Sequence, residues 1–109
     1  MEVNYDVFVK KMFKEMGDQK LDLVHAALGI AGEAGEAVDI IKKHFAYGKP
    51  LPVADLVKEL GDLLFYIQAA LNILGLNMEL IMMNNMAKLT ERYGDSYSDE
   101  KAIQRVDVK

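Results

Sequence analysis

Four carboxylates carry the clearest chemical signal. Glu33 and Glu36 stand three residues apart in GIAGEAGEAVD, and Glu59 and Asp62 repeat that spacing in KELGDLL. On a helix, this spacing puts both side chains of a pair on one face, about one turn apart. Either motif alone is an ordinary spacing for a solvated helix. Here, however, Ile30, Ala31, Ala34, Ala37 and Val38 flank the first pair, and Leu60, Leu63, Leu64 and Phe65 flank the second. Like charges gathered in partly desolvated surroundings are costly unless protons or a cation compensate them. An all-oxygen donor set selects a hard cation, Mg²⁺ with Mn²⁺ as a substitute.

Glycine marks both pairs. Gly29, Gly32 and Gly35 surround the first, and Gly61 lies inside the second. Each costs roughly 1 kcal/mol relative to alanine in a helix interior. That loss is understandable where helix backbones approach closely, or where a ligand reaches the carboxylates past absent side chains.

A basic face follows later in the chain, where Asn85, Lys88 and Arg92 have i, i+3, i+7 spacing. An amide, a point charge and a planar guanidinium on one helix face suit a polyphosphate, although an exposed face has the same pattern. Lys42 and Lys43 are expected cations near a helix C-terminus and are not assigned to the site. His25 and His44 lack the Glu-x-x-His spacing of di-iron bundles and read as packing or surface residues. Met82, Met83 and Met86 read as adaptable core or interface. Tyr47, Tyr66 and Tyr93 are all candidates to stack on a base, and the sequence does not choose among them.

The elements that must position these groups are helical. Tyr5, Phe8, Val9, Met12, Phe13 and Met16 recur at three- and four-residue intervals, predicting a helix over 4–16 with Asn4 as cap and Gly17 as stop. A second helix is expected from about Leu21 to Phe45. Gly48, Pro50 and Pro52 then make YGKPLP a loop. A third, strongly apolar helix follows Pro52 and closes near Gly75. Asn77 caps a fourth, which Gly94 ends and which buries Leu80, Ile81, Met83 and Leu89 or similar positions. Residues 95–109 form a polar tail with a short helical turn capped by Ser98. No alternation of a half-buried strand is present, so the expected fold is an all-α, four-helix bundle-like single domain over 1–109. Antiparallel packing across YGKPLP would bring the carboxylate pairs face to face. The third helix is apolar nearly all the way round, which predicts a face covered by a second copy.

Composition agrees with this reading. The 109 residues are 51% hydrophobic, enough for a core without cross-links. With no cysteine there is no disulfide framework or thiolate metal site, and a reducing cytoplasm is the expected home. No stretch approaches the ~20 apolar residues of a membrane span. The net charge of −4 argues against a nucleic-acid polymer as partner and favours a small ligand.

Taken together, GIAGEAGEAVDIIKK, KELGDLLFYI and NNMAKLTERYGDSYS resemble, in order and spacing, the single-domain MazG-like all-α nucleoside triphosphate pyrophosphohydrolases, over roughly residues 21–105. The fuller family motif begins with two glutamates, and Gly32 stands in place of the first. The resemblance implies that Glu33, Glu36, Glu59 and Asp62 bind Mg²⁺, with Asn85, Lys88 and Arg92 near the substrate phosphates. It implies hydrolysis between the α- and β-phosphates to a nucleoside monophosphate and pyrophosphate, with Glu33 or Glu36 orienting or deprotonating the attacking water. It further implies a homodimer or dimer of dimers, an active site bordered by two chains, and a role in removing unwanted nucleotides. Two other readings stay open: a non-enzymatic helical metal-binding or interaction protein, and a dUTP- or dCTP-selective diphosphatase of the same fold. A carboxylate-bundle iron protein is disfavoured by the histidine spacing.

Overall fold

The computed structural model describes residues 3–105, and these form five helices and no strand. They are α1 (Tyr5–Met12), α2 (Gln19–Tyr47), α3 (Val53–Leu74), α4 (Met78–Tyr93) and α5 (Asp99–Gln104). The all-helical class expected from the sequence is therefore present. The last four residues of the expected polar tail, 106–109, lie outside the described residues. The chain separates into two compact units, Met1–Gly75 and Leu76–Lys109.

In the first unit, α3 packs along α2 and is also covered by α1. Val9 and Phe13 from α1 and its end, Ala26 from α2 and Ala69 from α3 form the buried centre. Tyr5, Phe65, Tyr66, Ala70 and Ile73 pack around it. An aromatic group joins the three helices. Phe13 lies 4.5 Å from His25 and 6.5 Å from Phe65, while Tyr66 meets Phe65 edge-on at 5.2 Å.

The first helix is shorter than its apolar period predicts, ending at Met12 rather than residue 16. Phe13 leaves the helix in an extended conformation (φ −78°, ψ 129°) and turns its ring into the core. The backbone that follows is claimed by aspartates: Asp22 Oδ1 accepts from Met16 N at 2.6 Å, and Asp18 caps α2 by accepting from Lys20 N at 3.0 Å. Capping by Asp18 starts α2 at Gln19, two residues before the expected Leu21. At its far end α2 runs to Tyr47 and stops at Gly48, whose φ of 63° is strained for any residue with a Cβ. Asn4 occupies the N-cap of α1 without a side-chain capping bond.

In the second unit, Asn77 caps α4 by accepting from Glu79 N at 2.7 Å, and Gly94 closes it. Ser98 caps α5, and Lys101 Nζ donates back to the Tyr93 carbonyl at 2.6 Å. The expected burial on α4 is not provided within the second unit, where Leu80, Ile81, Met83 and Leu89 are all exposed. Caps at both ends set the bounds of this 16-residue helix, and none of its residues is buried.

Large apolar side chains are also uncovered on α2 and α3. Leu28 is 68% exposed and Phe45 88%, and Val53, Val57, Leu60 and Leu64 lie open along α3. Among the described residues no single helix is long and apolar enough to cross a membrane.

Candidate functional site

The carboxylates converge because α2 and α3 run antiparallel. Gln19 Nε2 donates to the Ile73 carbonyl at 3.2 Å near one end, Gly29 faces Tyr66 further along, and Glu33 then meets Glu59 and Asp62. The near-constant sum of these paired residue numbers is the signature of two helices advancing in opposite directions. Each i, i+3 pair points into the same junction.

One carboxylate oxygen from each of Glu33, Glu59 and Asp62 lies within 4.8 Å of the others. Glu36 is not part of that group, but its carboxyl approaches those of both Glu59 and Glu33. All four residues singled out from the sequence therefore meet, three at one point and the fourth at its edge. Glu33 and Glu59 are half-buried, whereas Glu36 and Asp62 are exposed, so the site has a covered floor and an open mouth.

Electrostatics make the cluster unstable as four free anions. Contact with Glu59 raises the proton affinity of Glu36 above the ordinary carboxylate value. Contact with Glu33 does the same for Glu59, with Asp62 adding to both. These carboxyl–carboxyl contacts are hydrogen bonds only when one partner holds a proton. Between ionised groups they are repulsive, and Glu33 Oε2 and Glu59 Oε2 are then buried acceptors with no donor. Leaving buried polar atoms unsatisfied is costly. The donor set answers that cost with a cation: Mg²⁺ with bonds of ~2.1 Å spaces its ligand oxygens ~3–4.2 Å apart, a range that small side-chain rotations would reach. The residues present thus fit a hard divalent ion, and Glu33, Glu59 and Asp62 could hold one.

The glycines divide into two kinds. A methyl group on Gly29 would overlap Cγ, Cδ1 and Cε1 of the Tyr66 ring, so that glycine permits a close approach. Around Gly32, Gly35 and Gly61, an added Cβ would meet nothing within 4 Å in this chain.

Tyr5 is a neighbour that sequence reading placed only in an apolar stripe. Partial burial and the Asp62 carboxylate hold its phenol above the usual tyrosine value. It lies 57 positions away from Asp62, on a different helix, so no local spacing could have signalled the pairing. Tyr66 and His25 are committed to packing, 6.0 Å apart, and His25 Nδ1 also meets the Lys14 carbonyl at 3.3 Å. His44 pairs through Nδ1 with the Lys49 carbonyl at the end of α2.

On α4, Asn85 and Lys88 are exposed and Arg92 is half-buried. The Arg92 guanidinium sits 5.5 Å from the centre of the Tyr93 ring, and Tyr93 meets Tyr97 edge-on at 5.0 Å. Arg92 and Tyr93 are thus already joined within the second unit.

A cleft of about 460 Å³ opens at the turn between α1 and α2, beside Asp18, Gln19, Asp22 and Asn72. It lies roughly 20 Å along α2 from the carboxylates, from the helical rise between Gln19 and Glu33. Four of its polar side chains bond within the chain: Asp18, Gln19 and Asp22 as above, and Asn72, whose Nδ2 donates to the Asp6 carbonyl at 2.9 Å.

A family model for the MazG nucleotide pyrophosphohydrolase domain matches residues 21–96. That span contains both carboxylate pairs and the Asn85, Lys88, Arg92 face. No curated protein matches the chain, and no solved structure does.

Proposed function

The chain belongs to the MazG nucleotide pyrophosphohydrolase domain family, and from that premise we propose that it hydrolyses nucleoside triphosphates to the monophosphate and pyrophosphate in a Mg²⁺-dependent reaction. The observation that carries this reading is the meeting of Glu33, Glu59 and Asp62 oxygens within 4.8 Å, two of the residues each burying an oxygen without a donor. A bound divalent cation supplies charge neutralisation for the phosphates and makes water more acidic. Glu33, Glu59 and Asp62 would hold it. Glu36 stands exposed at the edge with its proton affinity raised, which suits it to take the proton from the water that attacks the α-phosphorus. From α4, Asn85, Lys88 and Arg92 are assigned to the substrate phosphates.

The same reading includes self-association. Val53, Val57, Leu60 and Leu64 follow the 4, 3, 4 spacing of a coiled-coil seam, and all are exposed in the single chain. Leu21, Val24 and Leu28 on α2 add a second exposed stripe. A second copy covering such faces would make a homodimer, or a dimer of dimers where both are used. The absence of cysteine suits a reducing cytoplasm, and removal of unwanted nucleotides is the role that fits this chemistry.

Incubating the purified protein with canonical and modified nucleoside triphosphates and Mg²⁺, while following pyrophosphate and monophosphate, tests the assignment. Pyrophosphate release that is lost in Glu36→Gln and Glu59→Gln is expected. No release from any triphosphate would leave a binding protein instead, and orthophosphate release would place the cut at a different bond.

A further inference from the structure

We infer that Gly29 and Tyr66 act together as the spacer that sets the separation of α2 and α3 at the carboxylate cluster, making Gly29 a positioning residue for cation binding. The inference rests on the reading of the cluster as a cation site.

Gly29 lies one turn before Glu33 on α2, and Tyr66 lies one turn after Asp62 on α3. Their contact is therefore the helix–helix contact adjoining the cluster. The ring lies where a Gly29 side chain would be, so any residue with a Cβ forces either the ring or the helices apart. The half-buried ring is backed on its inner side: Phe65 meets it edge-on at 5.2 Å, and His25 lies at 6.0 Å with the Phe13 ring tilted against it at 4.5 Å. Close-packed aromatic groups transmit such a strain rather than absorb it. The helices are left to part, by an amount of the order of a methyl group, whereas metal–ligand distances tolerate only about 0.2 Å. Glu33 would then withdraw from Glu59 and Asp62.

Alanine is also the better helix former, so without the Tyr66 contact a Gly29→Ala change would make α2 more stable and leave the cluster alone. The two views predict opposite outcomes.

Calorimetric titration with Mn²⁺ alone, alongside thermal melting, distinguishes them in four proteins: wild type, Gly29→Ala, Tyr66→Leu and the double variant. The expected result is that Gly29→Ala weakens Mn²⁺ binding about 10-fold or more. In the Tyr66→Leu background, where the ring is gone, the same change should have little effect on affinity. A folded Gly29→Ala protein with wild-type affinity would overturn the inference, as would an equal loss in the Tyr66→Leu background. Should Gly29→Ala fail to fold, a folded double variant that binds Mn²⁺ like Tyr66→Leu supports the spacer, and a double variant that is unfolded or does not bind overturns it. A wild-type protein that binds no Mn²⁺ refutes the cation site itself, a separate outcome from failure of the spacer.

Discussion

Glu33 on α2 and Glu59 on α3 meet carboxyl to carboxyl, and each buries its Oε2 without a hydrogen-bond donor. Two helices that pack mainly through apolar side chains, with a hydrogen bond from Gln19 to the Ile73 carbonyl near one end, thus also meet in a repulsive contact. Protons or a cation can relieve it, and the two compete.

That competition sets a pH dependence. Glu36 and Glu59 hold protons more tightly in the fold than in the unfolded chain, so their contribution to stability is present at low pH and is lost as pH rises above about 4.5 through the raised values. In EDTA, the melting temperature should therefore fall as pH rises above about 4.5, and fall less in Glu59→Gln. With Mg²⁺ in excess the direction reverses, because the ion needs ionised ligands. At 100 times Kd, Mg²⁺ should add about 2.7 kcal/mol. Parallel melts with and without Mg²⁺ check both signs, and identical pH profiles would contradict the site.

Neutralising a single carboxylate should separate stability from function. Glu59→Gln removes a charge from the repulsive contact, so the metal-free protein is expected to melt no lower than wild type while losing Mg²⁺-induced stabilisation. Glu36→Gln should keep most of that stabilisation and lower kcat by about 100-fold or more, the range for loss of a general base. Equal turnover by both variants and wild type would remove these residues from the reaction.

Phe13 tests the folded framework rather than the site. It is the ring that ends α1 and joins it to α2 and α3. Phe13→Ala should cost about 3 kcal/mol by chemical denaturation. A loss below about 1 kcal/mol would mean that α1 is not held by this core.

Val57 tests the uncovered seam. It is 60% exposed, so Val57→Glu should change the stability of the single chain by no more than about 0.5 kcal/mol. If a second copy covers α3, the same change buries a charge in the interface and shifts the species seen by light scattering toward monomer. A wild-type chain that is monomeric at all concentrations would reject the proposed assembly.

Much of this was legible in local pattern. Apolar period and punctuation by Asn77, Gly48, Gly75, Gly94 and the two prolines indicated all the main helices, since a cap or a positive φ is dictated by the residue itself. The i, i+3 spacing of Glu33 with Glu36, and of Glu59 with Asp62, likewise follows from helical geometry alone. The end of α1 was not legible. Its period runs on to Met16, but burying Phe13 and giving Met16 N to Asp22 outweighed one more turn of helix.

What the sequence by itself determined was which side chains share a helix face, because that depends only on the rise and turn of one element. Which faces meet was decided by tertiary packing: Glu33 against Glu59, Tyr5 beside Asp62, and Gly29 beneath Tyr66 rather than Gly32, Gly35 or Gly61. The reason is one of range. Spacing acts over a turn of helix, whereas these contacts join residues far apart in the chain, and depend on how two helices settle against each other.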